Sequence, residues 1–316
     1  MSKNKNMFLE TRYRQEADQW DKYITSDGIA SHAESWLRTD TVDCWRHSRM
    51  YACLDPVLSS YPEATWLTVG DGRYGRDAHY IQAHGCEVTA SDISESLLRA
   101  GFERKYIDRY SVENAEGLSF EDDTFDFVFS KECLHHLPRP WIGLYEMLRV
   151  AREGIIIVEP AETPLVQKPR SIIKALIMYY INKYIPWAGK WLSPREIIRA
   201  YGNNWEEVGN YLFRFSEREI EKVSIALDYG LCAFKYLNDA YTKGVEQAPL
   251  DSPMFQQIKR RIAKKDRLCA LGLNQGSYSF IACAIFKVAP SEAVLETLRQ
   301  AGYRIKMLPH NPYRQQ

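Results

Sequence analysis

The chain has 316 residues, and its 41 Lys and Arg are balanced by 41 Asp and Glu. A net charge of zero gives no global field to steer it towards nucleic acid or an anionic surface, and the length suits one large domain with insertions or about two domains. Seven cysteines, none in a CxxC pair, lie mostly in apolar runs and read as reduced thiols. The polar start Met1-Ser2-Lys3-Asn4-Lys5-Asn6 has no apolar segment behind it, and no run reaches the ~18 apolar residues of a membrane span. The expectation is a cytoplasmic protein without stable membrane insertion and without a metal.

Residues 7–60 have a helical texture. Phe8-Leu9, Tyr13, Ala17, Trp20 and Tyr23-Ile24 recur near helical spacing, and further segments run from Ser31 to Leu37 and from Val42 to Leu54. Asp55-Pro56 and Tyr61-Pro62 close the region. From residue 64 the texture changes: strands are predicted at 65–69, 86–91, 110–113, 124–129 and 153–159, and helices at 76–84, 94–101 and 139–152. Such alternation argues for right-handed crossovers and a parallel sheet covered on both faces. The fifth strand, Gly154-Ile155-Ile156-Ile157-Val158-Glu159, is nearly all apolar, as a strand buried on two faces should be. After Pro160 a basic, aromatic-rich helical stretch fills 161–214, with Ile172, Leu176, Tyr180 and Tyr184 every fourth residue. Ser216-Glu217-Arg218-Glu219 matches a capping box and starts a helix to Tyr229. A strand at 231–237, an insertion at 239–274 with a basic helix from Phe255 to Leu271, a strand at 278–288 and a helix at 291–301 complete the chain.

Between the first strand and its helix stands Gly70-Asp71-Gly72-Arg73-Tyr74-Gly75, and Asp92 follows the second strand. Glycines at such a turn bring bare backbone against a ligand, and the helix N-terminus aims positive charge at it. The acid is placed to accept two ribose hydroxyls. An adenosine-containing cofactor is expected. Read literally the hexapeptide is the dinucleotide fingerprint, so an NAD(P)-dependent oxidoreductase stays open at this point. Three further features accompany it: the helical segment ahead of the first strand, Cys133-Leu134-His135-His136-Leu137 behind the fourth, and two late strands.

That ordered set resembles the class I S-adenosylmethionine-dependent methyltransferases of the small-molecule branch, over about residues 64–160 and more weakly at 231–237 and 278–288. The resemblance implies an α/β, Rossmann-like fold: a seven-stranded, mostly parallel sheet with helices on both faces and an antiparallel last strand, plus a helical N-terminal lid and helical cap insertions. The units would be a lid at 1–62, a cofactor-binding core at 63–160, a cap for substrate at 161–215, the C-terminal half of the core at 216–290 with its insertion at 239–274, and a helix and tail at 291–316. The implied cofactor is S-adenosyl-L-methionine, held by Gly70, Asp71, Gly72, Gly75, Asp92, Ile93, Asn114, Ala115 and Lys131. Among these, Asp92 would take the ribose hydroxyls, Ile93 would pack on adenine and Asn114 would accept from its amine. Where many members carry an acid two residues before the first glycine this chain has Thr68, and Asp71 is the candidate substitute.

Methyl transfer from a sulfonium is an in-line displacement, so alignment and exclusion of water carry most of it, worth up to ~7–11 kcal/mol. A base is needed only when the acceptor must lose a proton. His135, His136 and Glu132 are the candidates, against the plain alternative that the His pair shapes its loop. Substrate contacts are expected from Tyr23 and Arg46 and from Tyr179, Tyr180 and Trp187 of the cap. An ordinary apolar face packed on the sheet domain competes with Tyr23, and a solvated helix face with Arg46. A dimer interface or a helix on a membrane surface competes with the cap. The acceptor expected is a small metabolite or saccharide intermediate, methylated on O, N or S, with nucleic acid not expected and a homodimer left open. A protein that binds the cofactor without catalysis also stays open.

Overall fold

The computed structural model describes residues 2–25, 32–162, 184, 205–206, 210–271 and 278–313. Its strands are β1 (Thr65–Val69), β2 (Glu87–Asp92), β3 (Tyr110–Val112), β4 (Phe125–Lys131), β5 (Ala151–Pro160), β6 (Leu231–Leu237), β7 (Phe280–Phe286) and β8 (Arg304–Met307). They form one sheet in the order β3-β2-β1-β4-β5-β7-β6-β8. The first five run parallel, and β7 lies antiparallel between β5 and β6, as expected of a last strand. The sheet has one strand more than the sequence suggested, because β8 adds to its edge antiparallel to β6. Four residues are too few to carry a readable alternation; pairing with β6 makes them a strand.

The helices are α1 (Ser2–Thr25), α2 (Val42–Tyr51), α3 (Asp55–Ser60), α4 (Arg76–Ala83), α5 (Glu95–Glu103), α6 (Pro140–Val150), α7 (Glu217–Ala226), α8 (Pro253–Ala270) and α9 (Glu292–Gln300). Side chains alternate across a strand, and the core divides accordingly. One face packs Trp66, Phe127, Phe129, Ile156 and Val158 against Met50, Val57, Ile81, Leu98 and Leu298. The other packs Leu67, Val69, Val128, Ile155 and Ile157 against Leu144, Met147, Leu148 and Ile220. The run Ile155–Val158 is buried throughout, at about 1.5–3 kcal/mol for each such side chain. The helix at α7 begins with the predicted box: Ser216 Oγ accepts from Glu219 N while the Glu219 carboxylate accepts from Ser216 N.

The 239–271 insertion packs on the N-terminal segment. Val245, Ile258 and Ile262 close on Val42, and Trp45 meets Phe255 edge-on at 5.0 Å. Lys259, Arg260 and Lys264 of α8 face solvent. All seven cysteines are free thiols. Among the described residues no helix is long and apolar enough to cross a membrane. Most of 161–215, with Tyr179, Tyr180 and Trp187, lies outside the described residues.

Candidate active site

The first crossover turns on Gly70 at φ 78°. A Cβ there would collide with the Cys133 side chain, so only glycine serves. Gly70 N and Asp71 N both donate to Ser91 O at 2.9 Å, locking the turn to β2. Gly75, at φ 75°, precedes α4 and has Ile107 where its Cβ would be, while Gly72 lies against the Asp92 carboxylate. Asp71 is turned away from the crossover. Its oxygens accept from Asp77 N (2.9 Å), Ala78 N (2.8 Å) and Thr68 Oγ1 (2.9 Å), so its carboxyl covers the first turn of α4. Burial, then the charge of Asp77, pushes its pKa up to about 8.

At the carboxyl ends of β1, β2 and β4, under α1, lies a narrow cleft. Arg12, Tyr13, Glu16 and Trp20 form its roof; Gly70, Asp92, Ile93, Asn114 and Ala115 form one wall, with Glu113. Glu132, Cys133, His136, Leu137, Pro138 and Asn210 form the other. Asp92 is buried, accepts from Ser94 N at 2.9 Å, and is pushed up to about 7 by burial. Asn114 Oδ1 accepts from Glu116 N at 2.9 Å, holding the loop in an Asx turn. Glu132 sits at φ 53°, a strained left-handed residue at the end of β4. Burial works to raise its pKa, but Lys131 and Arg73 outweigh it and hold the carboxyl below its usual range.

The roof is latched at three places. Tyr13 Oη donates to Glu116 Oε2 at 2.7 Å, the carboxylate that also accepts from Arg139 N and Nε at 2.8 and 2.5 Å. Asp21 accepts from Ser94 and Ser96 hydroxyls at 2.6 Å. Trp20 and Tyr23 pack on Trp36.

Residues 67–158 match a family model described as a methyltransferase domain. This segment is a class I S-adenosylmethionine-dependent methyltransferase domain. Phosphoethanolamine N-methyltransferase 2 of Caenorhabditis elegans is 33% identical over 82 residues, which are 24% of this chain and 19% of that one. The 2-methyl-6-phytyl-1,4-hydroquinone methyltransferase of Synechocystis is 34% identical over 100 residues, 31% of each chain. The chain thus spans well under half the length of either relative. The solved phosphoethanolamine N-methyltransferase 2 of Haemonchus contortus is similar with a TM-score of 0.49 and 16% identity, covering 86% of this chain and 60% of that one.

Around this domain the predicted residues separate into two groups. Gly70, Asp92, Ile93, Asn114, Ala115, Glu132 and His136 converge on the cleft. The others among the described residues do not line it. His135 is buried, its Nδ1 2.7 Å from Glu159 Oε2, and the other oxygen of Glu159 accepts from Cys133 N and Leu134 N. That pair pins the turn after β4. Lys131 lies behind the wall, 3.6 Å from Asp77 and from Glu132 and 3.5 Å from His47 Nδ1. Burial, with Lys131 and Arg73 beside it, drives the His47 pKa well down, so the ring is neutral. Arg46 is buried and spent on Asp239 and Asp43, and Tyr23 packs in the aromatic cluster under α1.

Glu16, Glu113, Cys133, Asn210 and Glu206 escaped sequence reasoning. Glu16 had a signal: Arg12, Glu16 and Trp20 recur at four-residue spacing and so share one face of α1.

Proposed function

We propose that the chain binds S-adenosylmethionine in this cleft and transfers its methyl group to a small molecule. The observation that carries this reading is the charge of the walls. Asp92, Glu113 and Glu132 line the cleft against Arg12 and His136, a surface that favours a cation and opposes a pyrophosphate. The dinucleotide alternative has a second difficulty. It would need the exposed N–H groups of the α4 N-terminus for its phosphates, and Asp71 already occupies two of them.

When bound, S-adenosylmethionine supplies a methyl group that its sulfonium has already made electrophilic. Asp92 would accept the ribose hydroxyls, Ile93 and Ala115 would flank the adenine, and the Glu132 carboxylate would face the amino-acid end. Tyr13 and Trp20 close the cleft against water, which is where most of the rate advantage of an aligned displacement lies. Polyanionic acceptors such as nucleic acid meet the same carboxylates and are disfavoured. The match to methyltransferases of phosphorylated amines and quinols supports a small acceptor.

Calorimetry with S-adenosylmethionine, S-adenosylhomocysteine and NAD tests the reading. Binding of the first two without the third is expected, with S-adenosylhomocysteine formed once an acceptor is supplied. Binding of NAD alone would overturn it. Binding of S-adenosylmethionine with no turnover across a broad metabolite screen would leave a binding protein in place of an enzyme.

A further inference from the structure

One wall of the cleft carries a cluster that cofactor binding does not account for. Glu16 from α1 and His136 from the turn after β4 both line the cleft, beside Trp20 and Asn210. Behind His136 stands Glu206, with its Oε1 2.5 Å from the imidazole Nδ1. Its second oxygen is buried and has no hydrogen-bond partner among the described residues. Asn210 Nδ2 reaches Glu16 only at 3.4 Å. The charges of Glu16 and Glu206 thus both act on one imidazole, and Trp20 and Asn210 bring Glu16 only neutral N–H donors.

We propose that Glu16, backed by the His136–Glu206 pair and walled by Trp20, recognises the amine nitrogen of the methyl acceptor. The inference rests on the methyltransferase reading and adds the acceptor's chemical class. A protonated amine brings Glu16 a positive charge that neutral donors do not, and an aromatic face beside a carboxylate suits an ammonium group. Burial, and then the charge of Glu206, raises the Glu16 pKa, which makes its carboxylate a competent proton acceptor. The N–H bond of the ammonium breaks, its proton passes to Glu16, and the electron pair stays on nitrogen. That pair then forms the N–C bond while the S–C bond breaks with its electrons kept by sulfur. Positive charge entering on the sulfonium therefore leaves on the methylated nitrogen, while Glu16 holds the proton. An oxyanion acceptor would develop negative charge against the same two carboxylates, which is unfavourable in a half-buried site.

The test uses the full chain saturated with S-adenosylhomocysteine. Ligand-observed NMR compares butylamine and phenethylamine with the alcohols and carboxylates of the same skeletons. The amines are expected to bind about tenfold more tightly than their alcohols, one fixed charge pair's worth, and the carboxylates more weakly still. Glu16→Gln should erase that preference while leaving S-adenosylhomocysteine affinity within about twofold and the melting temperature intact; Glu206→Gln should reduce it. Equal binding of the three classes, no binding of the amines, or a preference that survives both substitutions would overturn the proposal. So would a Glu16→Gln protein that loses affinity for S-adenosylmethionine instead, since Glu16 would then serve the cofactor. Only failure of the wild-type protein to bind S-adenosylmethionine at all would sink the underlying reading.

Discussion

Two residues set the character of the crossover. Gly70 holds a left-handed backbone against Cys133. Gly70→Ala should cost at least the ~1–2 kcal/mol of a side chain in that region, plus displacement of Cys133, read as a lower urea midpoint with an unchanged slope. Asp92 is the more informative site. Its folded pKa of about 7 lies above the ordinary carboxylate value near ~4. The folded protein therefore keeps a proton that the unfolded chain has released, and stability falls as pH rises from about 4 through about 7. Asp92→Asn should flatten that part of the melting-temperature profile. Ribose hydroxyls donate to the ionised carboxylate, so cofactor affinity should tighten as pH rises through 7, with a proton released on binding below it. Calorimetry in buffers of different ionisation enthalpy reads both effects. A pH-independent affinity between 6 and 8 would show that Asp92 does not meet the ribose.

At the scale of elements, α1 is the piece whose role the fold decides. Its inner face carries Tyr13, Glu16 and Trp20 into the cleft, while Tyr13 and Asp21 tie it to the loops after β3 and β2. Deleting residues 1–25 should weaken S-adenosylmethionine binding by tenfold or more, with roughly 1.4 kcal/mol lost per decade, while far-ultraviolet dichroism still reports a folded sheet domain. Glu116→Ala is the finer probe. It removes the acceptor shared by Tyr13 and Arg139, so it should speed cofactor release more than it slows capture, as stopped-flow fluorescence of Trp20 would show. An unchanged dissociation rate would make the latch ornamental to binding.

At the scale of the whole molecule, buried ion pairs join segments far apart in sequence. Arg46 on α2 is held by Asp43 and by Asp239 just past β6, and Lys265 of α8 donates to Asp239 O at 2.6 Å. The N-terminal segment, the second half of the sheet and the 239–271 insertion are thus fastened at one point. Arg46→Ala leaves Asp239 buried without its partner and should cost about 3–5 kcal/mol. Arg46→Ala/Asp239→Ala together should recover part of that loss in chemical denaturation. Cofactor affinity should stay unchanged in the refolded single variant. A selective loss of turnover at full stability would instead return Arg46 to the substrate.

The sequence alone determined whatever depends on neighbours in the chain. The continuous apolar runs along 153–159 and 231–237, the Ser216 box, and the glycines after β1 each express a local pattern or a local backbone demand. From them came the parallel sheet and the position of the cofactor cleft, while the antiparallel seventh strand was implied by the family resemblance. What a side chain does there depends on partners tens or hundreds of residues away, and only the tertiary structure decided it. Asp71 and His135 carry residue types as suggestive as Asp92 and His136, yet α4 claims the first and Glu159 the second. Glu16 shares the cleft with His136, which Glu206 backs, because three separate segments converge there. The strand β8 exists because β6 offers an edge. Periodicity is written in consecutive residues, whereas burial and charge pairing arise when distant ones close on each other.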